Sequence, residues 1–504
     1  MSLSSRSIVA ATWEFGSVIS QAVIQLGVMA ILARLISPEG FGLYAIVTTS
    51  LGMIALISEI GVGQAVVQRK DLTDPFIYAS FLISLALGLL GTVATWIASP
   101  AIAGFFKRPE VTDMIRVASI MLVINGFVTV ATGLLERELL FKKLAVINVT
   151  SYIIGFGCVG GVLAFMKVGA WAIVAATVSQ TLVRALLLIK MVKVKVARVY
   201  SKSEMKEILR FCAGVSLGRI FNNLASQVDY LVVGRMMGPK PLGLYQMGYQ
   251  IMDLPRRFLA GVIDRVMFSV FTRIQDDDSR LRFAYTQSLE LTNTILIPLT
   301  ALMIVVTPEA IRVALGDQWG DLVVPLQIIL LQVPLRASVR MGDVSGTAVG
   351  RVYGIGFLKM IYAAMIGVAA IVGVRWGLKG VTIAVSVAVL INLILIVRFT
   401  RSFVKISVRE YLRIWVPGAM VGSLVVAASL PGMWIARSLV ESSFLRLLIV
   451  LPFTLLLLLL ALWIRPRLIG RTALQLVLDF GKRIPFVSPA ALALERRSSE
   501  RNRP

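Results

Sequence analysis

The chain has 504 residues, 57% of them hydrophobic, 15% charged and none histidine, with a formal net charge of +24. Soluble domains are about 45–50% apolar and about 25% charged, so a chain this apolar belongs in lipid. The absence of histidine excludes a histidine metal ligand, a Ser-His-Asp triad and a histidine proton relay. The two cysteines, Cys158 and Cys212, are too few for a disulfide framework or a zinc site made of four cysteines and read as small core residues.

Runs long enough to cross about 30 Å of hydrocarbon, roughly 20 helical residues each, predict an all-α integral membrane protein. They fall in chain order near 12–33, 43–63, 76–99, 115–135, 145–166, 169–189, 212–234, 243–268, 287–306, 322–346, 355–374, 380–398, 414–434 and 445–464, about fourteen spans. The first run follows a single Arg6 and contains Trp13 and Glu14, so it reads as a retained span rather than a cleaved signal. Its Glu14, Gln21 and Gln25 share one narrow polar stripe at 100° per residue. Two outer segments, near 100–114 and 307–321, read as interfacial and amphipathic, with Phe105 and Phe106 in one and Ile311, Leu315 and Trp319 in the other. The fifth run contains the GxGxxG pattern Gly155 to Gly160, but no strand precedes it. Gly157 and Gly161, four apart, read instead as a helix-packing pair. A basic linker, 190–211, follows the sixth run, and its Ser201-Lys202-Ser203-Glu204 fits a capping box that starts a short surface helix.

A charge at the bilayer centre costs about 2.5–3.5 kcal/mol even on the lenient insertion scale, which makes such residues candidates for function. The seventh run carries Arg219, Asn222, Asn223, Ser226, Gln227, Asp229 and Tyr230 on one broad face. The eighth holds Asp253, Pro255, Arg256 and Arg257 near its midpoint and then Asp264; Pro255 should kink it. In the tenth, Arg336, Arg340 and Asp343 follow Pro334 on one face. Guanidinium groups suit bidentate binding of phosphate, so Arg219, Arg256, Arg257, Arg336 and Arg340 are the candidate anion ligands. Asp253, Asp264 and Asp343 are available to neutralise some of them, and with Glu14 and Asp229 they are the candidate coupling carboxylates. Gln21, Gln25, Asn222, Asn223 and Gln227 suit hydrogen bonding to sugar hydroxyls. Asp276-Asp277-Asp278 reads as a solvated turn rather than a metal site, and the chain has no P-loop.

Lys and Arg concentrate in the linker 190–211, the segment 398–413 and the tail 465–504, all on the N-terminal side of the predicted topology. Both termini are therefore expected in the cytoplasm. The positive charge reads as anchoring at an anionic membrane surface, with no nucleic-acid partner. An internal repeat runs through the chain: Arg34 to Pro38 leads to Gly42-Leu43-Tyr44, and Arg235 to Pro239 leads to Gly243-Leu244-Tyr245, at a constant offset of 201. Each half holds an even number of spans, so both insert the same way up. The expected division is an N-lobe 1–190 (six spans), a linker 191–211, a C-lobe 212–400 (six spans), two additional spans within 401–466, and a cytoplasmic tail 467–504. Parallel repeats with intramembrane charge suit alternating-access transport. A cation-coupled multidrug or metabolite exporter is the alternative on this scaffold. A membrane-bound glycan polymerase or ligase would need a large outer loop, and none is predicted.

Residues 222–258 (NNLASQVDYLVVGRMMGPKPLGLYQMGYQIMDLPRRF), 61–73 (GVGQAVVQRKDLT) and 268–277 (FSVFTRIQDD) resemble the polysaccharide transporter (Wzx-type) branch of the multidrug/oligosaccharidyl-lipid/polysaccharide flippase superfamily. The resemblance runs from Trp13 to about Arg467. It implies two six-helix lobes about a central cavity in the bacterial inner membrane, and translocation of a polyprenyl-diphosphate-linked oligosaccharide for exopolysaccharide, O-antigen or capsule synthesis. It further implies no cofactor beyond a coupling proton or sodium ion, no catalytic residue, and a glycan polymerase and export machinery as candidate partners beside membrane lipids. The peptidoglycan-precursor flippases of the superfamily carry an arginine in span one, where this chain has Glu14. By their analogy the last two helices form a groove for the lipid tail.

Overall fold

The computed structural model describes residues 24–58, 61–69, 71–191, 201–464 and 468, apart from the side chains at 56–58, 211, 213–223, 225, 256–266 and 463. The described residues form helices and their connections, with no strand among them. In chain order the helices are α1 (Ile24–Leu35), α2 (Pro38–Ser58), α3 (Val62–Gln68), α4 (Asp74–Phe106), α5 (Val111–Arg137), α6 (Phe141–Tyr152), α7 (Gly161–Phe165), α8 (Ala170–Met191), α9 (Lys202–Met237), α10 (Pro239–Arg273) and α11 (Asp278–Ala314). They continue with α12 (Val323–Leu330), α13 (Gln332–Ala348), α14 (Val352–Gly373), α15 (Gly377–Val404), α16 (Val408–Leu439) and α17 (Ser443–Ile464). Among the described residues nine helical segments are long and apolar enough to cross a membrane, or ten if the bent pair α1–α2 makes one span. The polar helices α9 and α10 fall outside that set.

Packing divides the chain into two units, 1–247 with 363–381 and 248–362 with 382–504. In the first unit the duplicated motif is a helix break in both copies. The axis turns through 120° between α1 and α2. Pro38 opens α2, and the Ser37 hydroxyl accepts the Gly40 amide at 3.3 Å. In the second copy Gly238, at φ 88°, ends α9 and Pro239 opens α10. Proline suits a first helical turn because its missing N–H has no partner to lose there. The two copies pack on each other. A Cβ on Gly42 would lie 1.8 Å from the Pro239 carbonyl oxygen, and a Cβ on Gly243 would lie 1.9 Å from that of Pro38.

The opposite end of this unit is tied by charge. Arg69 pairs with Glu204 of α9 and, at 3.3 Å, with Glu207, and its guanidinium lies 4.1 Å from the Phe76 ring centroid. Arg137 of α5 donates to the carbonyls of Val66 and Arg69. Ser201 caps α9, accepting the Glu204 amide at 3.4 Å as the capping box predicts. The helix it starts is not short. With no proline between Lys202 and Met237, α9 continues without a break for 36 residues through the predicted seventh span.

Several sequence expectations are corrected. Gly157 and Gly161 do not pack on a neighbouring helix among the described residues: there a Cβ on Gly161 meets nothing within 4 Å, and one on Gly157 meets only its own Ile153. The close glycines are Gly155, whose Cβ would lie 2.7 Å from the Ala176 carbonyl oxygen of α8, and Gly160, 2.9 Å from the Ala176 Cβ. The stretch Ile153–Gly160 is a π-helix; its i→i+5 bonds widen the turn and bring residues five apart onto one face. Ile311, Leu315 and Trp319 are buried within the protein, not interfacial. Cys212 is a core residue, but Cys158 is exposed.

In the second unit α11 is capped by Asp277, whose carboxylate accepts the Ser279 hydroxyl at 2.6 Å and the amides of Ser279 and Arg280 at 3.0 Å. The Ser279 hydroxyl bond, then the Arg280 amide bond, hold this carboxyl below the ordinary aspartate range. Arg282 pairs with Glu410 of α16, and Lys405 with Asp278. A core of Phe271, Tyr285, Leu289, Met341, Ile396 and Tyr411 packs α10, α11, α13, α15 and α16 together.

Gly42→Ala and Gly243→Ala each place a methyl inside a backbone contact, and overpacking of this kind costs about 1–3 kcal/mol. Each is expected to lower the thermal unfolding midpoint by several degrees in detergent. Gly104→Ala, where a Cβ meets nothing within 4 Å, is expected to leave it unchanged.

Candidate functional site

Of the predicted site residues, Glu14 and Gln21 lie outside the described residues, and so do the side chains of Arg219, Asn222, Asn223, Arg256, Arg257 and Asp264. Gln25, Gln227 and Asp229 fall in the first unit; Asp253, Arg336, Arg340 and Asp343 fall in the second.

In the first unit Asp229 of α9 is buried, 4% exposed. The Tyr245 hydroxyl of α10 donates to its Oδ2 at 2.8 Å, and the Tyr230 amide to its Oδ1 at 3.0 Å. The Tyr230 and Tyr245 rings meet edge to face at 5.4 Å. A carboxylate buried among apolar groups is tolerable only with such donors. The repeat mate of Tyr245, Tyr44, has its hydroxyl 3.0 Å from the Thr177 hydroxyl of α8; the duplication keeps the tyrosine and changes its partner. The Gln227 amide packs against Gly52 of α2, 3.3 Å from where a Cβ there would stand. Gln25 accepts the Tyr152 hydroxyl at 3.5 Å through its backbone carbonyl. The Gln246 amide donates to the Thr48 hydroxyl at 3.4 Å.

In the second unit Arg336 is half-buried and held by its neighbours. Its Nε donates to the Gln332 side-chain oxygen at 3.0 Å, its Nη2 donates to the Tyr249 hydroxyl at 3.3 Å, and its guanidinium lies 5.4 Å from the Tyr249 ring centroid. Arg340, one turn along α13, is exposed. Asp343 is buried at 8% exposure, and Lys359 of α14 donates to it at 2.7 Å. The sequence expectation offered Asp343 as a counter-charge to the arginines; one cation that it meets is Lys359, which that expectation did not include. A second buried carboxylate, Glu309 of α11, takes Arg437 of α16 at 2.7 Å and ties the additional C-terminal pair of helices to the second unit.

The polysaccharide biosynthesis protein family matches residues 31–324, more than half of the chain. The chain belongs to that family. The lipopolysaccharide biosynthesis protein WzxC of Escherichia coli (strain K12) is 28% identical over 83% of this chain and 86% of its own length. The teichuronic acid biosynthesis protein TuaB of Bacillus subtilis (strain 168) is 25% identical over 64% and 67%, and the succinoglycan biosynthesis transport protein ExoT of Rhizobium meliloti (strain 1021) is 25% identical over 62% of each chain. Among solved structures, the lipid II flippase MurJ in an inward closed conformation covers 90% of this chain and 97% of its own at a TM-score of 0.69 and 15% identity. A multidrug resistance MATE family transporter of the MOP superfamily, in an inward-facing conformation, covers 76% of this chain and 94% of its own at a TM-score of 0.64 and 20% identity. This polysaccharide biosynthesis protein thus shares its fold with these two solved transporters.

Sequence reading missed Tyr245, Tyr249, Gln332, Ser386, Lys359 and the pair Glu309–Arg437 as polar contacts. Gln332 carried a signal, since it stands four residues before Arg336 on the same helical face. Ser386 carried none: a lone serine in an apolar run usually bonds its own helix.

Asp343 is buried and Lys359 half-buried, so removing one partner costs up to about 3–5 kcal/mol, the figure for a fully buried ion pair. Lys359→Met and Asp343→Leu are each expected to abolish a cooperative unfolding transition at the wild-type midpoint. The double variant is expected to regain it, as read by thermal unfolding of the purified proteins. If the double variant is as unstable as the sum of the singles, the pair is not the unit of stability.

Proposed function

We propose that this protein is a flippase that moves polyprenyl-diphosphate-linked oligosaccharide repeat units across the bacterial cytoplasmic membrane, with both termini in the cytoplasm. The observation that carries the proposal is an arginine, Arg336, fixed within the apolar second unit by Gln332 and Tyr249, in a chain belonging to the polysaccharide biosynthesis protein family. An oriented guanidinium among membrane-spanning helices suits an oxyanion brought in from the cytoplasmic side, and Arg340 one turn away offers a second cation. Arg219, Arg256 and Arg257 are assigned to the same task on their sequence positions. Gln21, Gln25, Asn222, Asn223 and Gln227 are assigned to sugar hydroxyls. The prenyl chain stays in lipid.

Transport runs by alternating access biased by a cation, a proton or sodium ion, whose binding differs between the two arrangements. Without histidine, a proton must use carboxylates. Glu14, Asp229, Asp253, Asp264 and Asp343 are the candidates, and Asp229 is favoured because it is buried with a hydroxyl donor. A glycan polymerase and export machinery are the natural partners on the receiving side.

Reconstituted protein is expected to translocate a fluorescent polyprenyl-diphosphate oligosaccharide across the bilayer of proteoliposomes, faster with an imposed proton or sodium gradient. Arg336→Ala and Arg340→Ala are each expected to slow translocation about tenfold or more, the loss that follows from one charge-assisted contact. Wild-type rates in both variants would reject the cationic route.

A further inference from the structure

We infer that Gln332, Tyr249 and Ser386 form a positioning device that presents the Arg336 guanidinium in one fixed orientation to a diphosphate. The inference rests on the flippase reading for the identity of the anion, but the device itself is a matter of donors and acceptors.

The hydrogen bonds leave a single consistent direction of donation. Arg336 Nε–H donates to Gln332 Oε1 at 3.0 Å, and Arg336 Nη2–H donates to Tyr249 Oη at 3.3 Å. A guanidinium has no acceptor, so the tyrosine hydroxyl must accept there and can donate its own hydrogen to Gln332 Oε1, which it does at 3.4 Å. The Gln332 amide nitrogen donates to Ser386 Oγ at 2.8 Å, and the Ser386 hydroxyl donates onward to the Thr382 carbonyl at 2.7 Å. A reversed amide would set its NH2 against the Arg336 Nε–H, two donors facing each other, and would set its oxygen against a serine whose hydrogen is already engaged. Ser386 therefore selects the amide orientation, the amide selects the guanidinium plane, and the phenol holds one edge of that plane.

Burial makes the arrangement rigid. Gln332 is fully buried and Tyr249 is 8% exposed, so neither can trade its partner for water. The three residues come from α13, α10 and α15, so helices other than its own help to anchor the arginine. A long, flexible side chain loses rotamer freedom when it is fixed. An arginine already fixed by its neighbours does not lose that freedom again on binding, and a planar fork held in one plane matches a two-oxygen anion bidentately.

The test uses the full-length protein in nanodiscs with tritiated farnesyl diphosphate as the probe and farnesyl monophosphate and farnesol as competitors. The wild type is expected to prefer the diphosphate, and Arg336→Ala to lose that preference. Gln332→Met is expected to weaken diphosphate binding about tenfold, and Tyr249→Phe and Ser386→Ala, each lacking one oxygen, about threefold. The decisive measurement is Gln332→Met in an Arg336→Lys background. A lysine presents a point charge with no plane to orient, so there the glutamine change is expected to cost less than about twofold. Equal losses in both backgrounds, or no loss from Gln332→Met while Arg336→Ala abolishes the preference, would overturn the positioning role and leave the flippase reading standing. A wild type with no preference for the diphosphate, or an Arg336→Ala variant with unaltered preference, would overturn both.

Discussion

A polar atom inside a membrane-spanning helix has no water to turn to, and it must find its partner on another helix. This requirement sets much of the internal geometry of the protein. Asp229 takes the Tyr245 hydroxyl, which fixes α9 against the start of α10. Asp343 takes Lys359, which fixes α13 against α14, and Gln332 takes Ser386, which fixes α13 against α15. Glu309 takes Arg437, which holds the last helix pair on α11. Truncating one partner of such a contact costs more than the contact contributes, because the remaining group stays buried and unanswered. These few side chains therefore specify which helices neighbour which, while the apolar majority supplies the packing around them.

Close packing is the second means of holding helices in lipid, where no hydrophobic force drives apolar helices together. The protein uses it at two places of different origin. At Gly42 and Gly243 the two copies of a duplicated helix break lie on each other, each glycine under the carbonyl of the other copy's proline. A contact between repeat mates is what a parallel duplication about one axis produces when the copies pack at that axis. At Gly155 and Gly160 the contact is local: a π-helical stretch changes the periodicity so that two glycines five apart both face α8.

The functional reading depends on what holds each charge in place. Asp343 is paired with Lys359 and Glu309 with Arg437. Among the groups that hold Arg336 are the side-chain oxygens of Gln332 and Tyr249, which orient its guanidinium. A neutral hydrogen-bonding partner fixes the direction of a cation's N–H groups before an anion arrives. The buried carboxylate Asp229, with a phenol as its donor, is the corresponding candidate on the cation side.

Much of the architecture was legible in the sequence because it follows from periodicity and charge. Apolar runs near membrane thickness mark the helices, Pro38 and Pro239 mark the breaks, and the constant offset between the two motifs marks the duplication. Ser201 was legible as a cap because capping is local. The length of α9 was not, since a surface helix and a span carry no boundary signal when no proline separates them. Within the candidate site the sequence by itself determined which residues are costly in lipid, Asp229, Arg336 and Asp343 among them. It could not determine what answers each one. Tyr245 stands sixteen residues from Asp229, Lys359 sixteen from Asp343 and Ser386 fifty-four from Gln332. Such pairings are made across helices, and only tertiary packing decides which side chains meet there.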